Sequence, residues 1–186
     1  MKEVKNDRKS RYTRMVLQNS LIELMKKKPI TKISITELCK NADINRTTFY
    51  SHFSDQYDLL KSIENETLLW ADDMLNSLHG KTNQAETLKI IEEVFEYLVE
   101  NSNHLQILMS DKGDIDFQKK IFSLIYEQCG LLPTNVSVSD IETKKYYFTF
   151  LINGSIGVIQ SWMNDGLKKS PKEMAEIILN MTTQIR

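Results

Sequence analysis

Apolar residues recur at three- and four-residue steps along almost the whole chain, and this is the spacing of one face of an α-helix. Only 6 Gly and 3 Pro occur in 186 residues, too few for the many tight turns of an all-β architecture. The sequence therefore predicts an all-α fold of about nine helices, in which a small three-helix unit precedes a larger helical domain. We place the boundary after residue 54, which gives domains 1–54 and 55–186.

Capping signals mark the start of several predicted helices. Ser34 and Glu37 have the spacing of a capping box, as do Ser170 and Glu173, and Asn45 is a suitable N-cap. The predicted helices span about residues 10–27, 34–42, 46–53, 55–78, 84–100, 104–109, 116–129, 140–164 and from 170 onwards.

Positive charge is concentrated near the N-terminus. Residues 1–55 hold 12 Lys or Arg and 6 Asp or Glu, whereas residues 56–186 hold 12 and 19. A basic head on an acidic body favours a head that meets a polyanion, although charge also varies along chains without such a role. We expect a cytoplasmic protein, since the N-terminal residues are too polar for a secretory signal, no apolar run could span a membrane, and the two cysteines lie far apart.

The sequence contains no recognisable catalytic or metal-binding pattern. His52, His79 and His104 are scattered, and none has the spacing of a metal ligand relative to Cys or an acidic residue. Phosphate-binding loops, dinucleotide-binding glycines and nucleophile elbows do not occur. We therefore expect no enzymatic activity, no metal and no cofactor.

The most informative segment covers residues 35–53, ITELCKNADINRTTFYSHF, where two short helices flank a tight turn. Leu38, Ile44, Phe49 and Phe53 fall where such a pair buries a small core. The second helix can enter the major groove of DNA, which is about 12 Å wide, and present hydrogen-bond donors to base edges. A solvated amphipathic helix is the alternative interpretation. The polar residues of this helix are Arg46, Thr47, Thr48, Tyr50, Ser51 and His52.

The segment ITELCKNADINRTTFYSHFSDQYDLL resembles the DNA-binding segment of the TetR (tetracycline-repressor) family, and the match covers about residues 12–63. This version, together with residues 150–179, is most similar to the branch that contains the dihydroxyacetone-kinase operon activator. The resemblance implies a transcriptional regulator, a repressor that binds a palindromic operator as a homodimer and responds to an effector in its C-terminal domain. The alternative is a helical dimer that acts mainly through a protein partner, with partner-dependent DNA binding.

The resemblance also implies roles for single residues. Arg46 and Thr47 should reach base edges, with Arg46 placed for a bidentate contact to guanine, and Ser51 should touch a base. Thr36 in the first helix, and Thr48, Tyr50 and His52 in the second, match phosphate-binding positions. The expected DNA-binding set is Thr36, Asn45, Arg46, Thr47, Thr48, Tyr50, Ser51, His52 and Gln56. The N-terminal basic residues form an arm for DNA or a solvated tail: Lys2, Lys5, Arg8, Lys9 and Arg11.

Three residues depart from the pattern of the family. Asp43 stands where Gly is usual in the turn, and Cys39 replaces a small residue that is often Ala. Gln56 replaces a phosphate-binding Lys, which should weaken backbone affinity and reduce the salt dependence of binding by about one unit.

The C-terminal half contains two further sets of candidates. Gly in a helix interior usually marks a close backbone approach, and the resemblance implies a two-fold bundle of the last two helices of both chains, although packing within one monomer also fits the pattern. The expected interface residues are Gly154, Ile156, Gly157, Met174, Ile177, Ile178 and Met181. An effector, either a small molecule or a protein, would meet side chains that ordinary core packing also explains: Trp70, Phe95, Leu98, Met109, Phe122, Tyr126, Tyr147 and Trp162.

Overall fold

The computed structural model describes residues 2–77, 83–128 and 141–183, and the regular structure in these ranges is helical throughout. The all-α prediction is confirmed. Residues 80–82 of the break predicted at 80–83, the end of the seventh helix near Cys129 and the loop expected at 131–139 lie outside the described residues. The helices are α1 (Lys2–Met25), α2 (Ile35–Ala42), α3 (Arg46–Tyr50), α4 (Gln56–Ser77), α5 (Gln84–Glu100), α6 (Ser102–Leu108), α7 (Ile115–Gln128), α8 (Ile141–Asn164) and α9 (Pro171–Thr183).

The chain divides into two compact units, one ending at Thr67 and the other starting at Leu68. This division lies inside α4, later than the expected boundary after residue 54. The first turns of α4 group with the N-terminal helices, and they carry the buried side chains of Leu59, Leu60 and Ile63. The assignment of separate functions to the two parts of the chain remains a prediction.

Helix α1 begins at Lys2 rather than near residue 10, so the expected N-terminal arm is part of a helix. The cause is composition, because residues 2–25 contain neither Gly nor Pro and are rich in good helix formers. Pro29 follows the end of α1. A 3₁₀ turn over Ile30–Lys32 comes next, which the sequence pattern did not indicate because a single turn has no periodicity.

The start of α2 forms only half of the predicted capping box. The Ser34 hydroxyl accepts a hydrogen bond from the Glu37 amide at 3.2 Å, as predicted. The Glu37 carboxylate accepts mainly from Lys28 Nζ, at 2.6 Å, and the backbone of Ser34 interacts with it more weakly. The hydrogen bond from Lys28 lowers the pKa of Glu37. The box at α9 is complete, since Ser170 N donates to Glu173 Oε2 at 2.8 Å and Glu173 N donates to Ser170 Oγ at 3.3 Å.

The turn between α2 and α3 places Asp43 in the left-handed region, at φ 52° and ψ 42°. Asp tolerates this region better than most residues with a side chain, because its short polar group can bond locally. The turn expected from the family pattern therefore forms without Gly.

We predict that Asp43→Ala lowers the free energy of unfolding by about 1 kcal/mol, because Ala lacks the local hydrogen bonding that offsets the left-handed conformation. Asp43→Gly should be at least as stable as the parent chain. Urea unfolding of the three proteins measures the difference, with Asp73→Ala in the interior of α4 as the control. Equal stability of the Ala and Gly variants would contradict this account of the turn.

Candidate functional site

Helix α3 is held in place by the side chains that it buries. Phe49 and Leu38 are fully buried, and Phe53 is 4% exposed. Ile44, the fourth predicted core residue, is half-buried. Because α3 has only five residues, the burial of Phe49, its fourth residue, fixes which side of α3 faces outward.

The outward side of α3 carries the polar residues that the sequence singled out. Arg46, Thr47, Tyr50 and Ser51 are exposed, whereas Thr48 and His52 are half-buried. The helix ends at Tyr50 rather than at residue 53. Residues 51–53 continue as a turn in which the Phe53 amide still donates to the Phe49 carbonyl at 2.9 Å, so the predicted surface stays continuous.

Arg46 and Tyr50 interact on this surface. The Arg46 guanidinium lies 6.0 Å from the centre of the Tyr50 ring, which is one turn along the helix. Stacking of this kind restricts a long side chain while leaving the N–H groups at the edge of the guanidinium available to an acceptor. Ser51 Oγ donates to the Thr48 carbonyl at 2.7 Å, which leaves its lone pairs available.

The other expected contacts lie at helix starts. Asn45 Oδ1 accepts from the Thr47 amide at 2.9 Å, so Asn45 caps α3 as predicted. Thr36 is exposed in the first turn of α2, and Gln56 is half-buried at the first residue of α4. The amides of Tyr57 and Asp58 donate to Asp55 Oδ1 at 2.8 Å each, so the carboxylate of Asp55 already occupies this helix start.

Cys39 occupies its unusual position in α2 without strain. The side chain is 4% exposed, and burial raises the pKa of its thiol, with the charge of Arg46 acting weakly in the opposite direction. Such a thiol is a small core residue rather than a reactive one.

Among the described residues, no three of His, Cys, Asp and Glu lie close enough together to hold a metal ion. In the same ranges, no helix has both the length and the apolar character needed to cross a membrane.

The C-terminal unit encloses a small apolar cavity of about 40 Å³. Five of the eight side chains expected to contact an effector line it, namely Phe95, Leu98, Met109, Phe122 and Tyr126. Sequence reasoning missed the aliphatic part of the lining, although the apolar periodicity already marked Ile91 and Val94 as core. The missed residues are Ile91, Val94, Ile121, Ile125, Ile159 and Ile178.

The three remaining effector candidates are not part of the cavity lining. Trp162 packs edge-on against Phe95 at 5.2 Å, directly behind the lining. Trp70 stacks on Tyr97, and Tyr147 is half-buried on α8.

A polar group stands beside the cavity, since the hydroxyls of Tyr126 and Ser155 share a short hydrogen bond. The surface of the cavity itself is apolar, and the hydroxyl pair lies outside it.

The expected dimer residues separate into buried and exposed sets. Ile156, Met174 and Ile178 are at most 6% exposed, so they pack inside their own unit. Ile177 is half-buried, and Met181 is 50% exposed. Gly154 and Gly157 are exposed, and a Cβ built on either one would meet no described atom within 4 Å.

Exposed apolar side chains surround Gly154 and Gly157. Tyr146 and Phe150 on α8 are 65% and 63% exposed, and Met181 continues this apolar surface on α9. An open groove of about 310 Å³ runs along it, between Phe150, Gly154 and Val158 on one side and Met181 on the other. We call this surface the α8–α9 face.

The chain combines a helix-turn-helix, whose second helix has an exposed polar side, with a helical C-terminal unit. This combination is typical of a transcriptional regulator. A family model described as "Transcriptional regulator C-terminal region" (TetR_C_8) matches residues 85–184. The chain belongs to the TetR family of transcriptional regulators, a family of regulators and not of enzymes. The family predicted from the N-terminal segment is therefore confirmed, by a match in the C-terminal part of the chain.

One curated relative is the uncharacterized HTH-type transcriptional regulator YxbF of Bacillus subtilis, which is 19% identical over 178 residues. The alignment covers 91% of this chain but 44% of that protein, so the chain spans less than half the length of the relative.

Solved structures share the fold at low sequence identity. A TetR transcriptional regulator from Streptococcus agalactiae 2603V has a TM-score of 0.67 at 19% identity, covering 97% of this chain and 98% of its own. The regulator FadR from Bacillus subtilis, solved in complex with stearoyl-CoA, has a TM-score of 0.65 at 16% identity, covering 90% and 96%. The dihydroxyacetone kinase operon activator DhaS is a weaker neighbour, with a TM-score of 0.56 at 18% identity, covering 93% and 95%. These values do not single out its branch.

Proposed function

We propose that the chain is a cytoplasmic repressor that binds a palindromic operator as a homodimer and releases it when an effector enters the C-terminal unit. The observation that carries the proposal is the outward side of α3, where Arg46, Thr47, Tyr50 and Ser51 are exposed opposite the buried Phe49. A short helix with this arrangement fits the major groove, where an arginine can pair with both acceptors of a guanine.

Arg46→Ala should reduce the preference for the operator over a scrambled duplex by about fivefold or more, because one bidentate contact gives about 1–3 kcal/mol of discrimination. Fluorescence anisotropy with duplexes from the DNA upstream of the gene measures both affinities at one fixed salt concentration. Lys27→Ala, which removes an exposed charge in the turn after α1, is the matched control.

An unchanged preference in the Arg46→Ala protein would overturn the assignment of Arg46 to base reading. Binding by the wild-type chain only after a protein partner is added would instead favour the partner-dependent alternative.

The proposed homodimer forms through the α8–α9 face. A two-fold axis brings the same surface of both copies together, so an exposed apolar face with glycines that leave room for a second backbone is suited to it. The face keeps Gly154, Gly157, Ile177 and Met181 from the expected set and adds Tyr146 and Phe150. A dimer also presents two copies of α3, as two half-sites one helical turn apart require.

Phe150→Glu should weaken dimerisation at least tenfold, because it places two charges in an apolar interface while leaving the core of each unit intact. Sedimentation equilibrium measures the dissociation constant. Leu69→Glu is a closely matched control, since Leu69 on α4 is 66% exposed and lies outside the α8–α9 face. Equal weakening by both variants, or none by Phe150→Glu, would contradict the proposed interface.

The proposed effector is a small molecule with a long apolar chain and one polar group. The lining of the cavity is apolar, and the hydroxyl pair of Tyr126 and Ser155 lies beside it. The fold relative FadR, solved with stearoyl-CoA, supports this class of ligand. Because ligand pockets measure about 300–1,000 Å³, a cavity of about 40 Å³ has to widen before a chain can enter.

Stearoyl-CoA is the probe for this proposal, and it should raise the midpoint of thermal unfolding and change the tryptophan fluorescence, because Trp162 packs behind the lining. Val94→Phe narrows the cavity and should abolish both effects. Val99→Phe on the same helix is the control, since Val99 is exposed and outside the lining. Retention of both effects in Val94→Phe would show that the probe binds elsewhere.

A further inference from the structure

Arg14 lies beside the end of the recognition segment, although it belongs to α1. Its guanidinium is 5.7 Å from the centre of the Phe53 ring. The His52 ring packs against the same Phe53 ring at 6.3 Å. Arg14 and His52 therefore share one aromatic neighbour, the last core residue of the helix-turn-helix.

One turn further along α1, the side chain of Gln18 contacts α4. Gln18 Nε2 donates to Glu66 Oε1 at 3.0 Å and lies 3.5 Å from Ser62 Oγ, both on α4. Gln18 thus lies beside the middle of α4, whereas Arg14, one turn earlier, lies beside Phe53, three residues before the start of that helix. Arg14 therefore stands close to the end of the recognition segment.

The charge of Arg14 is not neutralised within the described part of the chain. Its side chain is exposed and takes part in none of the ion pairs found there. The nearest helix start holds Asp55 and Asp58, but these carboxylates accept hydrogen bonds from the local backbone and from Ser54. A guanidinium stacked on an aromatic ring is preorganised, so little entropy is lost when its N–H groups bind an acceptor.

We propose that Arg14 binds a DNA phosphate at the edge of the major groove, beside the C-terminal end of the recognition segment. The inference rests on the proposed DNA-binding function. When a recognition helix lies in the groove, its ends approach the flanking sugar-phosphate strands, and a cation there contributes affinity without reading sequence. Arg14 supplies a positive charge at the junction with α4, where Gln56 provides none.

The test measures how the association constant falls with salt concentration, using wild-type protein and the Arg14→Met variant on both the operator duplex and a scrambled duplex. Met keeps the apolar stem and removes the charge. Each lost phosphate contact reduces the slope of log K against log salt by about 0.9, so we expect a reduction of about one per bound chain. The preference for operator over scrambled DNA should stay the same. Arg14→Lys should restore the slope.

Lys119→Met, an equal loss of charge on α7 in the other compact unit, is the control and should leave the slope unchanged. A thermal unfolding midpoint close to that of the wild type confirms that Arg14→Met is folded, and Arg14→Gln provides a second variant if it is not. An unchanged slope in the folded variants, while Arg46→Ala alters sequence preference, would overturn the role of Arg14 alone. Failure of the wild-type chain to bind any duplex would overturn the proposed function as well.

Discussion

The burial of Phe49 is the constraint on which the candidate DNA surface depends. A helix of five residues has too few internal hydrogen bonds to be stable alone, so its orientation comes from packing. With Phe49 and Leu38 fully enclosed, the exposed side of α3 carries Arg46 and Tyr50. These two residues are four positions apart and therefore lie on one face of the helix, which allows the Arg46 guanidinium to stack on the Tyr50 ring.

The sequence predicted the start of a helix well where an N-capping residue marks it. The capping residues Ser34, Asn45 and Ser170 each accept a backbone amide as expected, because a cap depends only on residues two or three positions away. The start of α1 and the end of α3 were predicted less well. In α1 no Gly or Pro precedes residue 10 to interrupt the helix, and in α3 the chain passes from helix to turn while its side chains keep the same pattern.

The cavity and the α8–α9 face show what periodicity alone does not contain. A helical repeat identifies the residues that avoid water, but not whether a side chain meets its own core, a cavity or a second chain. Ile178, which was expected at the dimer interface, lines both the cavity and the groove of the α8–α9 face. Phe150 was not among the expected interface residues, because α8 is apolar on more than one side. Only the fold distinguishes its enclosed side from its exposed side.

Among the described helices, only α4 contributes residues to both compact units. Trp70 on α4 stacks on Tyr97 of α5, and burial raises the pKa of that tyrosine. Helix α5 supplies four side chains to the cavity lining, Ile91, Val94, Phe95 and Leu98. The proposed effector would therefore meet the helix that stacks on α4. Under the proposed function, it changes DNA affinity only to the extent that it binds one arrangement of the protein more tightly than the other.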